Sequence, residues 1–433
     1  MRTGYCAVFA GWVTFGGILL SASAAEWHSK HDMTRPLCGP WLQNASETAM
    51  SVSWITYEPC AVALEYRAKG EKEWIRRWET VGDKLAYTRD LHTFHLTGLK
   101  AATEYEYRLL SSLSRYDQAY PYTRTFVGRD VRTFRTFDPG RERYSVFLMS
   151  DMHGDLRDIG DSICRRFDVA KCDLVVFLGD QVDDNMNQPR YYVVDGYLDA
   201  VSRLWGGTKP SVFVRGNHDC WGAPAAQAWV DYHGRPDGVS YYSFSHGPVL
   251  YVVLDNPHDY GNGNAWKAAD AAQEVHEEFL ARQFAWFREL VRSETWKQAT
   301  FRVVLSHYAV RLGASGLGER LKSEYKPYLN GANGIHLFLC GHEHFTASSL
   351  PGEVGYYHNA RNDGKTKGPG YKSADGSFDF AEVCGDKYGC LTLDVTKEKL
   401  TVRVGDRKEG TPDLDCIEVR PDKTARRLPC PER

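Results

Sequence analysis

Short apolar runs that end in a cluster of polar residues constrain this chain more than any other feature of its sequence. The clearest is Val212–Val214, which is followed by Arg-Gly-Asn-His-Asp at residues 215–219. A buried β-strand that ends in this way presents polar side chains at the carboxyl edge of a sheet, where α/β proteins place their functional sites. Four more runs end alike, at Asp151-Met152-His153, Gly179-Asp180, Ser306-His307 and Gly341-His342-Glu343-His344. Together they predict two mixed sheets with outer helices.

These strand ends carry aspartate, asparagine and histidine in high density. Carboxylate oxygens and imidazole nitrogens suit hard or borderline cations such as iron, zinc or manganese. A single Gly-Asp or Gly-Asn-His is more often a turn, so the prediction of a metal site rests on all five strand ends occurring together. The candidate donors are Asp151, His153, Asp180, Asn217, His307, His342 and His344, and His218 is a spare imidazole.

In this order the motifs Asp-x-His, Gly-Asp-x-x-Asp, Gly-Asn-His-Asp, Ser-His and Gly-His-x-His resemble the calcineurin-like metallophosphoesterase superfamily, over residues 143–404. The resemblance implies a four-layer α/β (α+β) sandwich with two metal ions, drawn from iron, zinc or manganese with the pair left open. The implied ligands are Asp151, His153 and His344 for the first metal, Asn217, His307 and His342 for the second, and Asp180 as the bridge.

The resemblance implies that His218 is not a metal ligand. It is expected to act on the leaving-group side, as an acid or as a phosphate-binding cation. Asp219 is then expected to orient it. A bridging carboxylate holds two cations about 3.5–4 Å apart, which clamps a phosphoryl group for attack by a metal-bound hydroxide. The predicted enzyme is an exported metal-dependent phosphatase acting on phosphate monoesters. The alternative is a phosphodiesterase acting on nucleotides or phospholipid headgroups.

Several residues close to the motifs are weaker candidates, because motif-adjacent loop residues lie more often on the surface than in a substrate pocket. Asp183 matches the general superfamily, whereas purple acid phosphatases have a tyrosine at this position. That departure weakens an assignment to the purple acid phosphatase branch. The weaker pocket candidates are Asp155, Tyr308, His258 and His358.

Residues 36–137 alternate apolar and polar side chains with a period of two, as in Met50–Ile55, and predict an all-β domain. Leu99 followed by Tyr105 resembles the tyrosine corner of sandwich domains. The region resembles the fibronectin type III-like domain that precedes the catalytic domain of purple acid phosphatases. A competing interpretation is a binding module in which this domain contacts glycan or protein beside a vestigial metal site. The complete donor set argues against it.

The N-terminus predicts export. Arg2 precedes an apolar run over residues 5–20, and small residues follow at 22–25, so residues 1–25 are predicted to be a signal peptide. The protein would then be secreted or periplasmic, with no membrane span after removal of the signal, and its ten remaining cysteines would meet oxidising conditions. Spacing suggests the disulfides 384–390, 416–430, 38–60 and 164–172, with Cys220 and Cys340 paired or left as buried thiols.

Composition narrows the partners. A formal net charge of −3 is too close to neutral to indicate a nucleic-acid-binding surface. The expected substrate, a small-molecule phosphate ester, is what the resemblance to metallophosphoesterases implies. The 433 residues are enough for two or three domains. Residues 405–433 are dominated by Pro, Lys, Arg and Glu and are predicted to be a C-terminal tail, in which only Cys416 and Cys430 argue for order.

Overall fold

The structure is a computed structural model that describes residues 36–115, 122–127, 130–183, 188–222, 224–255, 273–312, 321–353, 356–360 and 377–430. The predicted signal peptide at 1–25 and His258 lie outside these ranges. In chain order the strands are β1 (Pro36–Gln43), β2 (Met50–Thr56), β3 (Ala61–Ala68), β4 (Ile75–Trp78), β5 (Thr80–Val81), β6 (Lys84–Leu85), β7 (Leu91–Leu96), β8 (Glu104–Arg115), β9 (Tyr122–Val127), β10 (Arg132–Arg135), β11 (Arg143–Met149), β12 (Leu174–Phe177), β13 (Pro210–Phe213), β14 (Tyr242–His246), β15 (Val249–Val253), β16 (Phe301–Leu305), β17 (Leu337–Cys340), β18 (Phe345–Ser349), β19 (Tyr356–Ala360), β20 (Ala381–Cys384), β21 (Gly389–Thr396), β22 (Leu400–Asp406), β23 (Asp413–Val419) and β24 (Ala425–Arg427).

Two large mixed sheets carry the candidate donors. The first has the order β24-β23-β22-β21-β11-β12-β13-β1-β2-β7, and the second β14-β15-β16-β17-β20-β18-β19. Strands β11, β12 and β13 are parallel neighbours in the first sheet, and β16 and β17 are parallel neighbours in the second. Each of these five strands is one of the apolar runs that end in candidate donors, so the donors meet at the carboxyl edges of two adjacent sheets.

The two sheets pack face to face. Alternate residues of β11 point to opposite sides, so Val146 and Leu148 join a core shared with β15, β16 and β17. Phe147 and Met149 point outwards into a second core under helices. Strands buried on both faces read as continuous apolar runs, which is why these segments lack a period of two.

Helices cover the outer face of each sheet and complete four layers, so the predicted α/β sandwich is confirmed. The regular helices are Leu156–Phe167, Ala225–His233, Gln273–Arg292 and Glu294–Gln298, with 3₁₀ turns at Val169–Lys171 and His218–Cys220. The stretches with π-helical hydrogen bonding are Arg190–Leu198 and Ser202–Gly206, which flank the α-helical Asp199–Val201, and Leu321–Tyr325, which leads into the helix Lys326–Leu329. No helix in the described part of the chain is both long and apolar enough to cross a membrane.

The N-terminal domain is all-β, as predicted. Strands β1, β2 and β7 pack against a separate sheet that contains β10, β8, β3 and β4. The core between them contains Trp54 and Tyr107. The tyrosine corner is present, because the backbone N–H of Lys100 donates to the Tyr105 hydroxyl at 2.8 Å. The β1-β2-β7 part of this sandwich is continuous with the first large sheet, since β1 runs parallel to β13.

The C-terminal prediction is wrong in part. Within the predicted tail at 405–433, β23 and β24 extend the first sheet next to β22. β23 has a buried apolar face that includes Ile417 and Val419, and both residues join the core between the sheets. The prediction of a tail was based on the high content of Pro, Lys, Arg and Glu, and the short apolar pattern of β23 was not recognised.

The predicted disulfides are absent from the described residues, in which none of the ten cysteines is disulfide-bonded. The pair 384–390 fails because its members lie in different sheets. Cys384 ends β20, where its cross-strand neighbour is Cys340 on β17, whereas Cys390 lies on β21. Close spacing in sequence therefore did not place these two thiols together.

Candidate metal centre

The predicted donors lie together where the two sheets meet. Two of the three clusters of ligand-type atoms among the described residues share Asp180, and the third consists of His153, Asp183 and His218. The atoms within each cluster lie within 4.8 Å of one another. The first cluster consists of Asp151, His153, Asp180 and His344, and the second of Asp180, His307 and His342. Asn217 belongs with the second, because its Oδ1 lies 3.1 Å from Nε2 of His307 and 2.9 Å from Nδ1 of His342.

The first cluster is tight. Nε2 of His153 lies 3.1 Å from Nε2 of His344 and 4.0 Å from Oδ2 of Asp180. Nε2 of His344 also lies 3.5 Å from Oδ1 of Asp151. The His344 side chain is 39% exposed, whereas the side chains of Asp151 and Asp180 are buried, so the cluster is open on the His344 side.

Asp180 has unused capacity as a ligand. Its Oδ1 accepts a hydrogen bond from the backbone N–H of His218 at 2.9 Å and lies 3.3 Å from Nε2 of His307. Its Oδ2 is buried without a hydrogen-bond partner among the described residues. A buried carboxylate oxygen without a donor is costly, and a cation would satisfy it. The donor set of carboxylate, amide oxygen and imidazole therefore fits metal ions in this position.

Hydrogen bonding presents the His307 ring in the tautomer that a metal requires. Nδ1 of His307 donates to the carbonyl oxygen of Leu178 at 2.8 Å, so Nε2 faces Asp180 and Asn217. Bonds of this kind fix the orientation of metal-ligating histidines. Glu382 supports the loop that follows His307 by accepting bonds from the backbone N–H groups of residues 310–312 at 2.6 to 2.8 Å.

The electrostatics divide the histidines into two kinds. Burial lowers the pKa of His153 to about 4, against the effect of Asp180, and burial together with His307 lowers the pKa of His342 to about 3. Both rings are neutral near pH 7, which is the form that coordinates a cation. Burial also disfavours charge on His307, but Asp180 beside it raises the pKa of His307 to about 9. A cation at Asp180 would displace that proton.

The site residues have unusual backbone conformations. Left-handed φ angles of 54°, 46°, 54°, 72° and 52° occur at Asp151, His153, Asp180, His342 and His344. Such conformations cost on the order of 1–3 kcal/mol each and persist only where the surroundings enforce them. Five of them among the candidate donors indicate that the fold holds these side chains in position at the expense of stability.

Asp219 does not have the contacts expected from the sequence. Its carboxylate accepts backbone N–H bonds from Asp180 at 3.0 Å, Gly216 at 2.8 Å and Val182 at 3.4 Å. The expectation that it orients His218 is wrong, because Nδ1 of His218 donates instead to the carbonyl oxygen of Asp183. Asp219 ties together the two loops that carry Asp180 and Asn217.

His218 lies at the open side of the site. Its side chain is 18% exposed, and its Nε2 lies 3.8 Å from Oδ2 of Asp180. The half-buried ring of Trp221 lies against it, with 3.8 Å between centroids. Sequence reasoning missed Trp221, whose only sequence signal is its position two residues after the Gly-Asn-His-Asp motif.

The weaker pocket candidates differ in their surroundings. Asp155 forms an ion pair with Lys387 at 3.2 Å, and the buried ring of Tyr308 packs on His342 with 4.1 Å between centroids. His358 lies in β19, but its side chain, like the whole of His258, is outside the described part of the structure. The side chain of Asp183 is 72% exposed, with Oδ1 3.7 Å from Nδ1 of His153.

Comparison with known families confirms the resemblance predicted from the motifs. Residues 144–345 match the family model for calcineurin-like phosphoesterases. Residues 40–136 match the model for the N-terminal domain of purple acid phosphatases. No curated protein matches the chain.

Two solved structures align with the chain, and the PhoD structure shares its fold. A structure of PhoD aligns over 92% of this chain and 93% of its own, with a TM-score of 0.61 and 13% sequence identity. A structure of GAP50, the anchor in the inner membrane complex of Plasmodium, aligns over 68% of this chain and 90% of its own, with a TM-score of 0.43 and 11% identity. At its level of identity the likeness to PhoD establishes a shared fold across nearly the whole chain.

Proposed function

We propose that this chain, a calcineurin-like phosphoesterase over residues 144–345 with a purple acid phosphatase N-terminal domain, hydrolyses phosphate monoesters with two metal ions. The observation that carries the proposal is that one buried carboxylate, Asp180, belongs to both donor clusters. Two bound cations supply Lewis acidity and an activated water for in-line displacement at phosphorus.

The proposed ligand sets follow the two clusters. Asp180 would bridge the cations, and its partnerless buried Oδ2 supports this role. The backbone bond from His218 and the three bonds that Asp219 accepts hold the bridging loop in place. We assign Asp151, His153 and His344 to one ion, and Asn217, His307 and His342 to the other.

We assign His218 to the leaving group. Because its Nδ1 donates to the Asp183 carbonyl, its Nε2 is directed to the open side of the cluster near Asp180. From there a protonated Nε2 can donate to a phosphate oxygen or to the departing alkoxide. The tilted ring of Trp221 contacts the His218 ring, with 38° between the ring planes, and we assign Trp221 as a positioning residue for this step.

His218→Ala is expected to leave both metals bound and to lower turnover by about 10²–10⁴-fold, the usual contribution of general acid–base catalysis. The loss should be smallest for esters with good leaving groups, which need no protonation. Metal analysis together with a leaving-group series measures both effects. Loss of metal from the variant would show that His218 is a ligand.

Iron-loaded protein is expected to lack a purple colour. Purple acid phosphatases owe their colour to charge transfer from a tyrosinate to ferric iron, and Asp183 occupies the position of that tyrosine. A carboxylate has no filled π orbital high enough to give a visible band with iron. A visible spectrum of oxidised, iron-loaded protein of known metal content tests this. A strong purple band would show that another tyrosine binds the iron.

Preference for monoesters over diesters is tested by a substrate panel. A nitrophenyl monoester and the matching bis-nitrophenyl diester should be compared on one preparation, with nucleotide and phospholipid-headgroup diesters alongside. We expect higher kcat/KM on the monoester. Asp180→Asn protein purified in parallel controls for a contaminating phosphatase, and activity confined to diesters would establish the alternative function.

We further propose that residues 1–25 direct export and that the mature enzyme is secreted or periplasmic. The N-terminal sequence supports this, whereas the cysteines do not, because the described cysteines form no disulfide. Sequencing the N-terminus of protein recovered outside the cytoplasm tests the proposal. A mature protein that retains residues 1–25 would contradict it.

A further inference from the structure

A polar cavity lies far from the candidate metal centre in the fold. It opens at the amino edge of the first sheet, at the starts of β12 and β13, whereas the candidate donors occupy the carboxyl edge. Its volume is about 240 Å³. The walls come from the end of β10, from the linker between the domains, and from the catalytic domain, so both domains contribute.

The lining of the cavity is cationic. Four basic residues face two carboxylates there, and one of these carboxylates, Asp173, accepts from Nη2 of Arg141 at 2.7 Å. Lys171 forms an ion pair with Asp168 at the surface. When Asp168 is counted with the two carboxylates of the lining, four positive and three negative charges leave a net charge of +1. The basic residues are Arg135, Arg141, Lys171 and Lys209.

Buried polar atoms at the cavity lack partners. The His246 side chain is 4% exposed, and both of its ring nitrogens are without a hydrogen bond among the described residues. Nε of Arg141 is also buried without a partner. Buried polar groups in native proteins are almost always hydrogen-bonded, so donors left over beside a cavity indicate a missing ligand.

The His246 ring cannot turn to find a partner elsewhere. It is held between Phe137, at 4.4 Å between ring centroids, and Tyr144, at 4.1 Å. Burial and the nearby Arg141 lower the pKa of His246 to about 4, so the ring is neutral at pH 7 and presents one N–H donor. Beside this ring, Nη2 of Arg141 donates to Asp173 and Nζ of Lys209 donates to the carbonyl oxygen of Ala170 at 2.7 Å. Each of the two cations has further N–H groups that can bind an anion.

We propose that this cavity binds a small oxyanion of the phosphate or sulfate type between Arg141, Lys209 and His246. Charge-assisted bonds from Arg and Lys are the strongest donors for such anions. Because the cavity is lined by both domains and their linker, a bound oxyanion links the N-terminal domain to the catalytic domain. The proposal does not rest on the catalytic activity.

The test is calorimetric titration of inorganic phosphate, and separately of sulfate, into full-length protein stripped of metal with a chelator. Stripping removes anion binding by metal, so failure here is distinguishable from failure of the phosphatase assignment. Lys209→Gln removes one cation, and His246→Phe keeps an aromatic ring between Phe137 and Tyr144 while removing the nitrogens. Arg143→Gln, an exposed residue on β11, is the matched control for loss of one charge.

We expect one saturable site whose affinity falls about tenfold or more in each cavity variant and is unchanged in the control. If only sulfate or only phosphate binds, the ligand is that ion. Absence of saturable binding, or equal affinity in Lys209→Gln, would overturn the proposal.

If His246→Phe does not fold, anion binding is tested by thermal unfolding of the wild-type protein and the two remaining variants. Phosphate or sulfate should raise the Tm of the metal-free wild-type protein above that in chloride of equal ionic strength. The rise should be lost in Lys209→Gln and kept in Arg143→Gln. An equal rise in all three proteins would overturn the proposal.

Discussion

Asp180→Asn is expected to release most of the bound metal and to lower turnover by about 10²–10³-fold or more, since several kcal/mol of transition-state stabilisation depend on the cations. One carboxylate serves both donor clusters, so neutralising it weakens both sites at once. The substitution changes no volume and keeps an oxygen that can accept the His218 backbone bond. Metal content and kcat should be measured on the same sample.

Asp158→Asn is the matched control for this prediction. It makes the same chemical change on the exposed face of the helix Leu156–Phe167, where the Asp158 side chain is 76% exposed. We expect metal content and kcat to stay at wild-type values in the control. Near-wild-type turnover of Asp180→Asn with two metals still bound would refute the shared-carboxylate arrangement.

Gly216→Ala is expected to lower activity by at least about 10²-fold and to weaken metal binding. A Cβ at residue 216 would lie 2.2 Å from both the backbone nitrogen and Oδ1 of Asp180. Backbone cannot yield as a flexible side chain does, so the Asp180 loop must shift, and a displacement of about 1 Å in a catalytic group costs rates of this order. Metal affinity and kcat measure the effect.

Gly196→Ala controls for the added methyl group. Gly196 lies in the helical stretch Arg190–Leu198, and a Cβ there meets nothing within 4 Å. We expect unchanged activity and a gain of about 0.4–1 kcal/mol in the free energy of unfolding. If Gly216→Ala behaved like this control, the close packing of the Gly-Asn-His-Asp loop against Asp180 would be wrong.

Much of the architecture around the candidate site was predictable from sequence, because a buried strand can be recognised from its own run of apolar residues. β12 is an apolar run with a glycine and a carboxylate at its end, and such a run has few other ways to fold in a soluble protein. Parallel pairing then brings the ends of neighbouring strands to one edge. The positions of Asp151, Asp180 and Asn217 follow from that geometry.

Contacts between distant segments were not predictable. Pairing of β1 with β13 joins residues more than 160 positions apart, and no local pattern encodes it. Asp219 was misassigned for a similar reason. Its neighbour His218 suggested a side-chain partner, whereas its three bonds go to backbone groups of two loops. Trp221 is half-buried against His218 only because the 3₁₀ turn His218–Cys220 folds back.

The number of metal ions per chain at which phosphatase activity saturates tests the proposed dinuclear centre most directly. Metal-free protein should be titrated with zinc, manganese or iron while bound metal and monoester turnover are followed together. The shared position of Asp180 predicts activity that reaches its maximum at two ions per chain. Full activity with one ion, or with none, would contradict the dinuclear centre.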